Sequence, residues 1–149
     1  MLIKGLENFF KKLEEEAKKK QKAAESGMKD ACLFVEGKIK EKISEAPRGG
    51  LEYTRYKPYR KVKASAPGEP PATDTGNLIH HVKSEIQRSD NLVRGLVGIF
   101  GEDTATYAAA LELGSTENNL APRPFLDVTV AENRKEITQI LTEHTRYKS

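Results

Sequence analysis

The chain has 149 residues, 37% of them hydrophobic and 32% charged, with a net charge of +3, no Trp and a single cysteine, Cys32. One cysteine excludes an internal disulfide framework, no apolar run is long enough to span a bilayer, and the opening MLIKGLENFFKKLEEE becomes charged too early for a signal peptide. These features fit one domain of a soluble protein made in the cytoplasm, a modest core under a charged surface.

Residues 3–45 form a helical segment, so the chain divides into a helical part at 1–46 and a core at 47–149. Ile3, Leu6, Phe10, Leu13, Ala17 and Ala24 follow a three-four spacing, and Met28, Ala31, Val35, Ile39 and Ile43 continue it. Glu14–Lys18, Glu15–Lys19 and Glu16–Lys20 sit at i, i+4 with Glu on the N-terminal side, each worth about 0.2–0.5 kcal/mol to a helix. Gly27 leaves two arrangements open. The segment is either two ordinary helices joined there, or one rod of roughly 65 Å at about 1.5 Å per residue that reaches a neighbouring subunit.

Pro47 and Gly49-Gly50 end the helix, and residues 51–78, with four of the seven prolines, read as a long irregular or extended loop. A β-hairpin follows over 81–100. Val82, Ser84 and Ile86 alternate on its first strand, Ser89-Asp90-Asn91 is the turn, and Val93, Val97 and Ile99 share one face of the second strand, with Leu92, Leu96 and Phe100 on the other. Gly95 and Gly98 mark a bulge or a close backbone approach. Thr106–Leu113 is a short helix with Thr106 as N-cap and Gly114 as its left-handed C′ residue. A last helix starts near Pro124 and buries Leu126, Val130, Ile137 and Leu141. The fold class is α+β: a long N-terminal helix, a small antiparallel sheet with a hairpin, a short helix and a C-terminal helix packed on it.

Charge is uneven along this path. Residues 1–46 carry +2, residues 47–66 carry +5 and residues 67–149 carry −4. The basic segment is YTRYKPYRKVK, residues 53–63. Tyr53, Tyr56 and Tyr59 recur every third residue among Arg55, Lys57, Arg60, Lys61 and Lys63. Aromatic faces stack bases while cations meet phosphates, so the segment is a candidate nucleic-acid contact. The alternative is a protein-facing loop, with tyrosines as anchors and cations meeting acidic neighbours.

Catalytic patterns are scarce. His80 and His81 are adjacent and would point to opposite faces of a strand, His144 is distant, and no metal-ligand spacing or phosphate loop occurs. Cys32 lies among apolar helix residues and reads as a small buried hydrophobe. Arg123 stands between Pro122 and Pro124, which favour an extended backbone at Ala121 and Arg123. A cation at a helix start is disfavoured by the dipole. Either Glu112 pairs with Arg123 and staples the two C-terminal helices together, or Arg123 is simply exposed.

SAPGEPPATDTGNL (65–78), then a hairpin, then YAAALELGS (107–115), then APRPFL (121–126) opening a final helix, is a pattern that resembles the neck proteins of tailed bacteriophages, the head–tail joining or tail-completion family of long-tailed phages and prophages. The resemblance covers about residues 28–141. Members often have Phe where Leu113 stands and Thr where Ser115 stands. The resemblance implies a structural, non-catalytic protein with no cofactor and no metal, assembling as a homo-oligomeric ring, commonly sixfold, in the virion neck or tail. Its partners would be other neck, head-closure and tail proteins, with DNA passing through the channel. It marks Pro67, Gly68, Pro70, Gly76, Leu78, Tyr107, Glu112, Gly114, Arg123, Pro124 and Phe125 as structural-motif or subunit-interface positions.

Overall fold

A single helix, α1 (Lys4–Ser44), runs through the computed structural model, which describes residues 4–146. At about 1.5 Å per residue its 41 residues span roughly 62 Å. Ile3 lies outside the described residues. The C-terminal half of α1 carries the buried stripe Ala31, Cys32, Val35, Ile39 and Ile43. Its N-terminal half is a bare arm, with Leu6, Phe9, Phe10 and Leu13 all about half exposed.

Two layers flank the buried half. On one side lies an antiparallel hairpin, β3 (Val82–Ser89) and β4 (Leu92–Ile99), in unbroken register from Val82↔Ile99 to Ser89↔Leu92 around Asp90-Asn91. It runs back along α1: the Ser84 hydroxyl donates to Glu36 at 2.8 Å and Arg88 pairs with Glu25 at 3.0 Å. Val97 and Ile99 pack on the core, while Leu92, Leu96 and Phe100 on the other face stay exposed, as the alternation predicts. No bulge occurs. Gly95 permits close approach, since a Cβ there would lie 2.3 Å from Cys32 Sγ, whereas Gly98 faces open space.

On another side lie α4 (Leu126–Glu132) and α5 (Arg134–Thr145), antiparallel to α1. Lys42 meets Glu132 at 2.7 Å at one end, and His144 meets Asp30 at 2.8 Å at the other. The expected single last helix is therefore two, divided at Asn133 (φ −106°, ψ 14°), whose side-chain amide donates to Thr129 O at 2.8 Å. Thr129, not Val130, is fully buried, and Val130 is 46% exposed. The Thr129 hydroxyl stays satisfied by donating to Phe125 O at 2.5 Å, so a polar residue occupies the core position. Leu126 and Ile137 do pack against the core, and Leu141 is half-buried.

Between these come a one-turn helix α2 (Asn77–His80) and α3 (Glu102–Leu113). α2 places His80 at its last position with His81 as its C-cap, so the first strand starts at Val82 rather than at His81 and neither histidine lies on a strand. α3 starts four residues before the expected cap. Thr106 sits inside it and its hydroxyl donates to Glu102 O at 3.0 Å, while Gly101 (φ 107°) makes the turn into it. The core joins Val35, Ile39 and Ile43 of α1 to Leu78, Val82, Ala108, Leu111 and Phe125.

The largest correction concerns 51–78. It contains a second hairpin, β1 (Glu52–Tyr56) and β2 (Tyr59–Lys63), with the register Glu52↔Lys63 to Tyr56↔Tyr59 and the cis Lys57–Pro58 peptide at its turn. Charged residues on both faces erase the apolar alternation that announces a strand, and Pro58 reads as a breaker when it is the turn itself. Among the described residues no helix is long and apolar enough to cross a membrane.

Gly27 does not divide α1. It is buried, and a Cβ on it would lie 2.8 Å from His144 Cβ, so its role is to let α5 seat. Gly37, in the same helix, is exposed and would gain a Cβ in open space. Gly37→Ala should therefore add about 0.5–1 kcal/mol from helix propensity. Gly27→Ala should lose on the order of 1 kcal/mol net, because about 1–3 kcal/mol of overpacking outweighs the propensity gain. Urea unfolding of the two variants checks the opposite signs.

Candidate functional site

The motif positions converge on one joint. Its centre is the carboxylate of Glu112, near the end of α3. Glu112 Oε2 accepts from the backbone N–H of Phe125 at 2.8 Å and of Leu126 at 3.0 Å, and Oε1 accepts from Asp127 N–H at 3.1 Å. These are the orphan donors of the first turn of α4, where the helix dipole also favours an anion. Phe125, fully buried, is thereby held in the core with Leu78 and Leu111. Pro124 lies just outside the helix and supplies no N–H to be satisfied.

The expected Glu112–Arg123 staple is not formed. Glu112 joins the two helices through backbone N–H groups instead. Arg123 turns the other way: its N–H donates to Leu111 O at 2.6 Å and its guanidinium Nη2 to Ser65 O at 3.2 Å. The reason is electrostatic, since a carboxylate suits the positive end of α4 and a guanidinium does not. Nor is Arg123 simply exposed; it is half-buried, and its Nε is buried with no hydrogen-bond partner among the described residues.

The Pro-Gly loop docks on the same joint. Gly68 N–H donates to Pro122 O at 3.1 Å, with Gly68 at φ 82°. Glu69 accepts from Ala66 N–H at 2.7 Å and from Gly49 N–H at 3.0 Å, tying the exit of α1 to the loop. Those two N–H groups, Ala66 first, hold the Glu69 carboxyl below its ordinary range. Pro67 is exposed beside this turn and Pro70 is half-buried. Gly76, at φ 78°, donates to Thr73 Oγ1 at 3.1 Å and leads into Leu78. Gly114 has φ 79° but ψ 169°, so it leaves α3 in an extended turn rather than the left-handed one expected. A Cβ there would lie 3.0 Å from both Leu120 O and the Pro122 ring. Ser115 and Leu120 close the loop beyond it by exchanging two 2.8 Å backbone bonds.

The basic hairpin has two different faces. Alternation puts Tyr53, Arg55, Arg60 and Val62 on one, and Thr54, Tyr56, Tyr59, Lys61 and Lys63 on the other. The tyrosine stripe is thus split. On the first face Arg55 (2.6 Å) and Arg60 (2.7 Å) both pair with Asp74, and Arg55 lies 5.6 Å from the Tyr53 ring centre. The Arg60 hydrogen bond and the charges of Arg55 and Arg60 hold the Asp74 carboxyl low, outweighing the desolvation that raises it. On the second face Tyr56 and Tyr59 meet edge-on at 6.1 Å, both largely exposed, and Lys61 pairs with Glu52 at 3.3 Å. Lys57 is exposed at the tip.

Comparison with known protein families, curated proteins and solved structures found no match. The chemistry must be read from the residues. Among the described residues no group of three or more His, Cys, Asp or Glu side chains could hold a metal ion. Cys32 is buried, and burial, then the Glu36 carboxylate, push its thiol above the ordinary range, which makes it a poor nucleophile. Tyr107, a motif position, is exposed on α3, away from the joint's hydrogen bonds. Sequence reasoning missed Glu69, Asp74 and Ser65 as fixed points. The legible signal for Glu69 was an acid inside a Pro-Gly turn, where backbone N–H groups lack partners.

Glu112→Ala should lose about 1–3 kcal/mol, because it leaves three N–H groups at the start of α4 without their acceptor. Arg123→Ala should lose less, since one carbonyl bond and packing are removed; denaturant melts of the pair test the order. The lowered Glu69 and Asp74 carboxyls favour the folded state above their unfolded values near pH 4, and this contribution falls away as pH drops through the folded values. The melting temperature of the chain should therefore exceed that of Glu69→Gln/Asp74→Asn at neutral pH and converge with it in acid.

Proposed function

We propose that this chain is a structural virion protein of a tailed bacteriophage or prophage, part of the oligomeric neck ring that joins head to tail or completes or terminates the tail. The observation that carries the reading is the joint. The motif block at 121–126 bonds to the block at 65–78 through Gly68–Pro122 and Arg123–Ser65 and to the block at 107–115 through Glu112–Phe125, and Leu78 and Leu111 of those two blocks share the core. Several residues that carry the resemblance, Gly68, Glu112, Arg123 and Phe125 among them, are therefore residues that hold this architecture together, which supports the reading.

Two further features support an assembly role. The half-exposed apolar stripe Leu6, Phe9, Phe10 and Leu13 on the α1 arm is bare surface of the kind that subunit contacts cover. The Glu112 and Glu69 carboxylates of the joint are occupied in holding backbone, which suits a scaffold rather than a catalyst. A nucleic-acid module on residues 53–63 has less to stand on, because Arg55 and Arg60 are turned onto Asp74 and Lys61 onto Glu52, which leaves Lys57 as the exposed cation beside the tyrosine pair. The ring would assemble in the bacterial cytoplasm and remain in the virion.

Deleting the gene from a particle-producing phage or prophage should yield unjoined heads and tails, or tails of uncontrolled length, by electron microscopy. Fractionation should place the protein in virions or tail intermediates. Normal particles after deletion, with the protein in neither fraction, would overturn the proposal.

A further inference from the structure

α3 presents a bare side with no charge beyond its first turn. After Asp103 the helix carries one charged residue, Glu112, and that one turns inward to cap α4. Ala108 and Leu111 face the core, while Thr106, Tyr107, Ala109 and Leu113 are exposed, Leu113 at 77%. A helix that is apolar around nearly its whole circumference is normally covered on all sides. The rim of the bare side is acidic. Residues 100–122 contain four acids and no base, and with Glu112 turned inward the exposed ones are Glu102, Asp103 and Glu117.

The complement is present on the same chain. Residues 52–63 carry five bases and one acid, and the hairpin keeps a net +3 when Asp74, which pairs with Arg55 and Arg60, is counted with it. The tip offers Tyr56 and Tyr59, 77% and 70% exposed and set edge-on to each other, with Lys57 between them making no ion pair among the described residues. Asp74 braces the opposite face through Arg55 and Arg60, so the hairpin is held as a projecting element. Aromatic anchors with an adjacent cation fit a largely uncharged helix face with acidic residues at its edge, by packing and by sign.

We propose that the outer face of α3 in one copy receives the tip of the β1–β2 hairpin of a second copy of this chain. This rests on the assembly reading above and names its contact. The two surfaces differ, so the contact is heterologous: each copy offers one hairpin and one α3 face, and the arrangement repeats head to tail. It closes into a ring where the rotation divides a full turn.

Cysteine cross-linking on the full chain tests the contact, with native Cys32 retained and each single variant run alone as its control. Tyr59→Cys mixed with Ala109→Cys should give a cross-linked pair under mild oxidation, while either variant alone gives none. The chain carrying both should give a ladder. Glu102→Lys/Asp103→Lys on the receiving copy should lower the yield severalfold, and Lys57→Glu on the hairpin copy should restore it. No mixed cross-link at high protein concentration and low salt overturns the proposal. So does Ala109→Cys linking to itself, which would mean a two-fold contact, or to Phe10→Cys, which would mean that the α1 arm covers α3. Sedimentation separates this failure from failure of the ring reading: oligomers that persist without the hairpin–α3 cross-link overturn this contact alone. A cross-linked ladder built into open fibres upholds the contact and tells against a closed ring.

Discussion

The carboxylate of Glu112 closes a gap of thirteen residues to the backbone of Phe125 and fixes where α4 begins. Phe125 enters the core at that point, and α4 and α5 then run back along α1 toward Gly27. A helix start is otherwise a cluster of unsatisfied N–H groups beside a buried ring, which the fold could not tolerate so close to its core. Gly114, Pro122 and the Ser115–Leu120 bridge shape the chain between the two ends of this contact.

Charge does two distinct jobs around that joint. At Glu69 and Glu112 carboxylates satisfy backbone N–H groups and hold loops in place. At Asp74 one carboxylate gathers two guanidinium groups and braces a hairpin that would otherwise hang from a loop. A two-stranded hairpin is marginal by itself, so its attachment decides whether it can present Tyr56 and Tyr59 in a fixed direction. The strongly charged composition therefore serves internal geometry as much as solubility.

The apolar surface is unevenly distributed. The core occupies the C-terminal half of α1, while the arm and the outside of α3 keep Leu6, Phe10, Tyr107 and Leu113 in solvent. A chain built only to fold would place polar residues at those positions. Their exposure, together with the opposite charges of hairpin and α3, is what supports the proposed assembly role.

Much of the fold was legible because its signals are local. The three-four spacing of Val35, Ile39 and Ile43 announces α1, and the alternation of Val93, Val97 and Ile99 announces β4 and its buried face. The β1–β2 hairpin was not legible, because tyrosines and cations on both faces leave no period to detect, and Asp74 outside it braces one face. The division of the last helix at Asn133 was hidden for a similar reason. Thr129 reads as a polar surface residue until its hydroxyl is seen to reach Phe125 O.

By itself, the sequence determined the periodic elements, the stops at Pro47 and Gly114, the concentration of positive charge at 53–63 and the motif order that carries the resemblance. Only the tertiary structure decided who partners whom. Glu112 caps α4 rather than pairing with Arg123, Arg123 reaches Ser65, Asp74 holds two arginines, and Gly27 admits His144 instead of breaking a helix. The physical reason is range. Periodicity depends on neighbours along the chain, whereas a hydrogen bond or close approach forms between groups that folding brings within about 3 Å, from any separation in sequence.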